Sequence, residues 1–136
     1  MTQITDFDSL LAAARAQPDP QRLLFVFARA VLHDDHQPQE AERFHAGQGG
    51  ILQPVLCVDK TPEELTSFTA LAAESARTGE RWQLMFVAAI GGSGGKAPSS
   101  DDAEEPLKRM IQTIQTGGDV SRYLAFDHQG EPVRFL

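Results

Sequence analysis

One cysteine, Cys57, is all the thiol chemistry this chain of 136 residues has. It excludes an internal disulfide, a cysteine-based zinc cluster and a dithiol redox motif, and it fits a reducing compartment. Excess positive charge is also missing. The formal net charge is −7, which argues against a general binder of nucleic acid or of an anionic membrane. No apolar run reaches the roughly 18 residues that a membrane span needs. The first residues, Met1-Thr2-Gln3-Ile4-Thr5-Asp6-Phe7-Asp8, lack the basic stretch and apolar core of a signal peptide. A cytoplasmic location is therefore expected. There is no internal repeat, and the only low-complexity segment is a glycine run.

What remains is the composition of an ordinary globular domain. Apolar residues are 41% and charged ones 23%, too apolar for wholesale disorder. One domain over 1–136 is expected, burying roughly two-thirds of the unfolded surface.

The periodicity alternates. A helix is predicted over 5–17, capped by Thr5, with Phe7, Leu10, Leu11 and Ala14 on one face and Pro18 and Pro20 ending it. Leu23-Leu24-Phe25-Val26-Phe27-Ala28 reads as a central strand buried on both faces. In 33–50, Pro38 opens a short helix with Ala41 and Phe44 on one face, ended by Gly47, Gly49 and Gly50. Ile51 to Val58 is a strand in which Pro54 marks a start, a bulge or an edge. Thr61-Pro62-Glu63-Glu64 is a capping box opening a helix that runs to Gly79, with Leu65, Phe68, Leu71, Ala72 and Ala76 inward.

Trp82 to Ile90 is the next buried strand. The last helix spans 102–117, with Leu107, Met110, Ile111 and Ile114 at helical spacing. Pro106 is expected in its first turn, where a missing N–H costs nothing. Tyr123–Phe126 and Val133–Leu136 flank the turn Asp127-His128-Gln129-Gly130 as a C-terminal β-hairpin. The whole reads as an α/β fold: a single-layer mixed sheet of about five strands with packed helices. The crossovers 61–79 and 102–117 are long enough for parallel connections. The first two strands are read as parallel, with an antiparallel pair as the alternative.

The glycine run Gly91-Gly92-Ser93-Gly94-Gly95-Lys96 follows a strand, where sites collect in open α/β sheets. Gly92 to Ala97 fits the bare pattern G-x-G-x-x-A, but Pro98, Ser99 and Ser100 intervene before a helix that starts with acids. Those acids repel a phosphate. A phosphate loop fails too, because Ile90 and Ala97 stand where glycine and Ser or Thr are required. No cofactor is expected, and the run reads first as a flexible connection.

Cys57 reads as a buried core thiol; strand alternation points Lys60 to the opposite face. His33-Asp34-Asp35-His36 holds potential ligands in a row but reads as a solvated turn, since neighbours on one loop point apart. No metal site and no catalytic template are assigned. The candidate ligand- or partner-binding residues are Asp59, Lys60, Gly92, Ser93, Gly94, Gly95 and Lys96, at one sheet edge if the strands are parallel. The segment His33–His36 joins them there, and leaves if the first pair is antiparallel.

The stretches Pro20 to Phe27, Gly47 to Gly50, Cys57-Val58-Asp59-Lys60-Thr61-Pro62-Glu63-Glu64-Leu65 and Phe126 to Val133 carry a resemblance. Together they resemble a family of small, uncharacterised proteobacterial proteins, some labelled ribonucleotide reductase subunit alpha. The resemblance spans most of the chain. The catalytic subunit of that enzyme is a large barrel with a radical cysteine and a separate cysteine pair, whereas this chain has Cys57 alone, so no catalytic residue carries over.

The reading that follows is a non-catalytic cytosolic module that binds or regulates a protein partner through the glycine loop and 33–50. The alternative is a small-ligand binder or enzyme using Asp59, Lys60 and Lys96, with the loop as a lid.

Overall fold

The structure is a computed structural model that describes residues 6–31 and 51–133. The expected short helix at 38–46, the His33–His36 turn, Thr5 and the last residues of the hairpin lie outside these.

Helix α1 spans Phe7–Arg15, β1 Gln21–Val31, β2 Ile51–Lys60, α2 Phe68–Ala76, β3 Leu84–Gly91, α3 Ser100–Gln115 and β4 Leu124–Asp127. The strands form one open four-stranded sheet in the order β2-β1-β3-β4. Every neighbouring pair is antiparallel. The architecture is α/β, and the mixed sheet of five strands is corrected to an antiparallel sheet of four among the described residues.

The reason lies in where β1 sits. Strands β2 and β3 run in the same direction, and the crossover through α2 joins them as expected. However, β1 lies between them, so no parallel ladder forms. After α3, a turn at Gly117 and a 3₁₀ turn, Val120–Arg122, lead into β4, which enters against β3. A long crossover permits a parallel pair without requiring one. The expected hairpin survives as a turn: Gly130 N–H donates to Asp127 C=O at 3.0 Å, and Val133 N–H to Ala125 C=O at 2.9 Å.

Strand β1 is central, as its unbroken apolar run requires. Leu23 to Ala28 are at most 2% exposed. Alternation divides them between two cores. Leu23, Phe25 and Phe27 pack with α1, Leu65 and Leu71. Leu24, Val26 and Ala28 pack with Ala103, Met110 and Ile114 of α3. Helices therefore cover both faces. Phe7 anchors the first core, edge-on to Phe68 and Phe126 with ring centres 5.6 and 5.9 Å away.

Local signals moved in four places. Asp6, not Thr5, caps α1, forming a capping box with Ser9. The helix expected over 61–79 is two pieces. Thr61 and Glu64 close their capping box around a 3₁₀ turn, Pro62–Glu64, and Ser67 then caps α2 by accepting from Ala70 N–H at 3.0 Å. Leu65 is thereby turned into the core. Pro106 stands inside α3 beyond the first turn, because Ser99 and Asp102 start the helix earlier than expected. The C=O of Asp102 consequently loses its helical donor. Cys57 is exposed rather than buried. It lies on β2, the outer strand, which has a neighbouring strand on one side only among the described residues. Pro54 fits its expected setting: β2 is an edge strand, with a register irregularity against Phe27 and Ala28.

Candidate functional site

The ends of β2 and β3 do meet at one rim of the sheet, where β1 begins. Leu23 pairs opposite Lys60 and Gln21 opposite Gly91. Asp59, Lys60 and the glycine run thus share one rim, with the start of β1 between them. With β1 and β2 antiparallel, the far end of β1, at Val31, lies at the opposite end of the sheet from this rim.

Proximity does not leave these groups open. Successive strand residues face opposite sides. Asp59 turns to the α3 side, where its Oδ2 accepts from Arg22 Nη1 at 2.6 Å and from Ser100 Oγ at 2.8 Å. Arg22 also donates its Nε–H to Pro98 C=O at 2.6 Å. Lys60 turns to the α2 side and pairs with Glu74 at 2.9 Å. Nearby, Glu64 accepts from Thr61 N–H and hydroxyl, which hold its carboxyl below the usual glutamate range; Lys60 and Arg22 add to this. Arg22, Asp59 and Ser100 form a clasp that ties β1 and β2 to the start of α3. Sequence reasoning passed over Arg22 and Ser100. The available signal was a charged residue sharing the face of Leu24 in a doubly buried strand, which needs a partner.

The glycine run is a closed hairpin rather than a loose connection. Ser93 and Lys96 exchange both backbone hydrogen bonds, at 3.1 and 3.0 Å. Gly94 and Gly95 between them have φ of 60° and 78°. Positive φ at both central residues defines a type I′ turn. Gly92 donates its N–H to Pro20 C=O at 2.8 Å. A Cβ on Gly92 would lie 1.8 Å from Lys96 O, so only glycine fits. Three of the run's amides, those of Gly92, Ser93 and Lys96, are thus already bonded within the protein.

The open feature lies along β3. Strand β4 covers only Leu84 to Val87 of it. Ala88 to Gly91 are paired on the β1 side alone among the described residues. The direction of their backbone groups follows from the ladder. Gly92 donates to Pro20, so even-numbered residues of β3 bond to β1, and odd-numbered ones point away. The far side of β4 keeps the same alternation, with Ala125 C=O and Asp127 N–H bonded to the tail. Ala89 and Gly91 therefore present N–H and C=O at an unpaired edge, and both residues are exposed.

Grooves flank this edge on both faces. One, of about 550 Å³, lies on the α3 side between Ile90, Pro106, Arg109, Thr113 and Tyr123. The other, of about 380 Å³, lies on the α1 side against Ala13, Gln17 and Leu124. They meet at Ala88, Ala89, Arg122 and Tyr123. Leu124, at 38% exposure, is the exposed large hydrophobic among the described residues. This edge was legible in one respect: a four-residue strand at 123–126 cannot cover a strand running from Trp82 to Ile90.

Among the described residues, no group of three or more His, Cys, Asp and Glu side chains is placed to hold a metal. No helix there is long and apolar enough to cross a membrane. No family model, no curated protein and no solved structure matches the chain.

Proposed function

We propose that the chain is a protein-interaction module that accepts an extended segment of a partner as an added strand along Ala88 to Gly91 of β3. The observation that carries this reading is the unpaired edge: Ala89 and Gly91 offer two donors and two acceptors in strand geometry. Strand addition draws affinity from such main-chain bonds and specificity from pockets that take alternate side chains. The grooves on the two faces supply those pockets.

The other free edge of the sheet is less suited. Strand β2 carries Pro54, which has no donor, and an irregular register, both devices that discourage edge pairing. The strand-end rim is less suited as a ligand site, since Asp59 and Lys60 are engaged in internal ion pairs.

The test is to pan a phage-displayed library of short random peptides on the immobilised chain and on Ala89→Pro. Proline at an outward-facing edge position removes a donor without breaking the ladder to β1. Extended, β-prone peptides should be enriched on the parent chain, and hydrogen exchange at Ala89 and Gly91 should slow when they bind. N-methylation of alternate peptide residues should abolish binding even where Ala89→Pro fails to fold. Failure to enrich any peptide, or equal enrichment on a folded Ala89→Pro, would refute the reading.

A further inference from the structure

The acidic balance of the chain hides a local exception. Several basic side chains are occupied: Arg22 with Asp59, Lys60 with Glu74, Lys108 with Glu104 and Glu105, and Arg15 with the carbonyls of Pro62 and Leu65. Arg109 and Arg122 form no ion pair among the described residues, although Arg122 lies near enough to Asp119 to help hold its carboxyl below the usual range, and both line the larger groove. The acidic residue lining it, Asp119, accepts from the backbone N–H and hydroxyl of Ser121 through one oxygen, Oδ1. Arg122 also lies 5.9 Å from the ring centre of Tyr123, which fixes the flank of the groove where β4 begins.

Geometry sets where a partner's charge would fall. Side chains of an added strand alternate between the faces of the sheet. The α3 face carries Arg109, the α1 face offers Ala13, Gln17 and the exposed Leu124, and Arg122 stands where the two grooves meet. We infer that the partner segment is acidic on one face: it carries Asp or Glu at alternate positions toward Arg109 and Arg122, and apolar residues toward α1. This rests on the strand-addition reading and names the chemistry of its partner. Two guanidinium groups beside an open edge suit carboxylates, which arginine can grip through paired hydrogen bonds. A basic segment would meet like charge there, and like charges across an interface select against a partner.

Fluorescence polarisation with terminally blocked, labelled peptides tests the inference. The probes are repeats of Val-Glu, Val-Gln and Val-Lys with Gly-Ser flanks. Val-Glu should bind roughly fivefold to tenfold more tightly than Val-Gln, and Val-Lys should bind weakest. The preference should shrink in high salt and vanish in Arg109→Gln/Arg122→Gln, whose side chains lie outside the core. Arg109→Glu/Arg122→Glu should turn the preference toward Val-Lys.

If Val-Glu and Val-Gln bind equally, and N-methylated peptides fail to bind, the edge reading stands and the acidic partner is wrong. If none of the repeats binds while panned peptides do, the acidic partner is again wrong. If panning also enriches nothing, both readings fall. A dimer seen by sedimentation that Ala89→Pro dissolves would assign the edge to a second copy of the chain and overturn the inference.

Discussion

Replacing Asp59 by Asn probes the clasp that sets α3 on the sheet. The substitution keeps the size of the side chain and one carbonyl oxygen, but removes the charge that faces Arg22. Two limits bound the effect. Exposed ion pairs contribute about 0.2–1 kcal/mol. Removing one partner of a fully buried pair costs about 3–5 kcal/mol, because the remaining charge is stranded. The side chains of Arg22 and Asp59 are 14% and 20% exposed, between these limits and nearer burial. One oxygen, Oδ2, also receives both the Arg22 and the Ser100 bonds. A loss of about 2 kcal/mol is therefore expected, or roughly 1 M in urea midpoint. Urea unfolding followed by circular dichroism measures it, at low salt and again at high salt. A half-buried pair should retain most of its contribution when exposed pairs are screened. The double variant Arg22→Met/Asp59→Leu should recover part of the loss, since an apolar pair leaves no stranded charge. A loss below about 0.5 kcal/mol, within the range of an exposed pair, would refute the clasp. So would a loss that disappears in salt.

The glycine hairpin yields a contrast between neighbouring positions. Gly94→Ala adds a Cβ that meets nothing, so its cost is confined to the positive φ, roughly 1 kcal/mol. Gly92→Ala drives a Cβ into Lys96 O and should cost clearly more, and comparable thermal midpoints would contradict the closed hairpin. The acid limb of stability tests the capping boxes. Asp6 and Glu64 are each held below their ordinary values, chiefly by a backbone N–H, from Ser9 and Thr61 respectively. A depressed folded pKa gives stability that is fully present above the unfolded value and lost as pH falls through the folded one. Stability should thus decline as pH drops below Glu64's ordinary value of 4.5. Glu64→Gln should show a smaller decline between pH 6 and pH 3 in urea midpoints, and an unchanged decline would remove the Thr61 contact as its cause.

Much of the local structure was legible because it depends on near neighbours. The stripe Phe7, Leu10, Leu11 and Ala14 placed α1 on the core, and the apolar run of β1 required cover on both faces. The Thr61–Glu64 capping box was read correctly as a capping box, but Ser67 competes as a second cap and the segment divides between them. Pro106 was misplaced because the Ser99–Asp102 capping box starts α3 earlier. Cys57 was misread because burial on a strand depends on whether that strand is inner or outer, and Pro54 allowed an edge only as one of three settings.

The candidate site shows the same division. The chain order alone brought Asp59, Lys60 and the glycine run to consecutive strand ends, and strand alternation already parted Cys57 from Lys60. What the sequence by itself determined was a set of amphipathic helices and apolar strands in an α/β order, with glycine at the turns, because propensity, capping and periodicity act over a few residues. The tertiary structure alone decided the antiparallel direction of every pair, the union of Arg22, Asp59 and Ser100, and which stretch of β3 is left without a neighbour. Each depends on which distant segments meet, and the backbone hydrogen bonds that decide it are the same for every sequence.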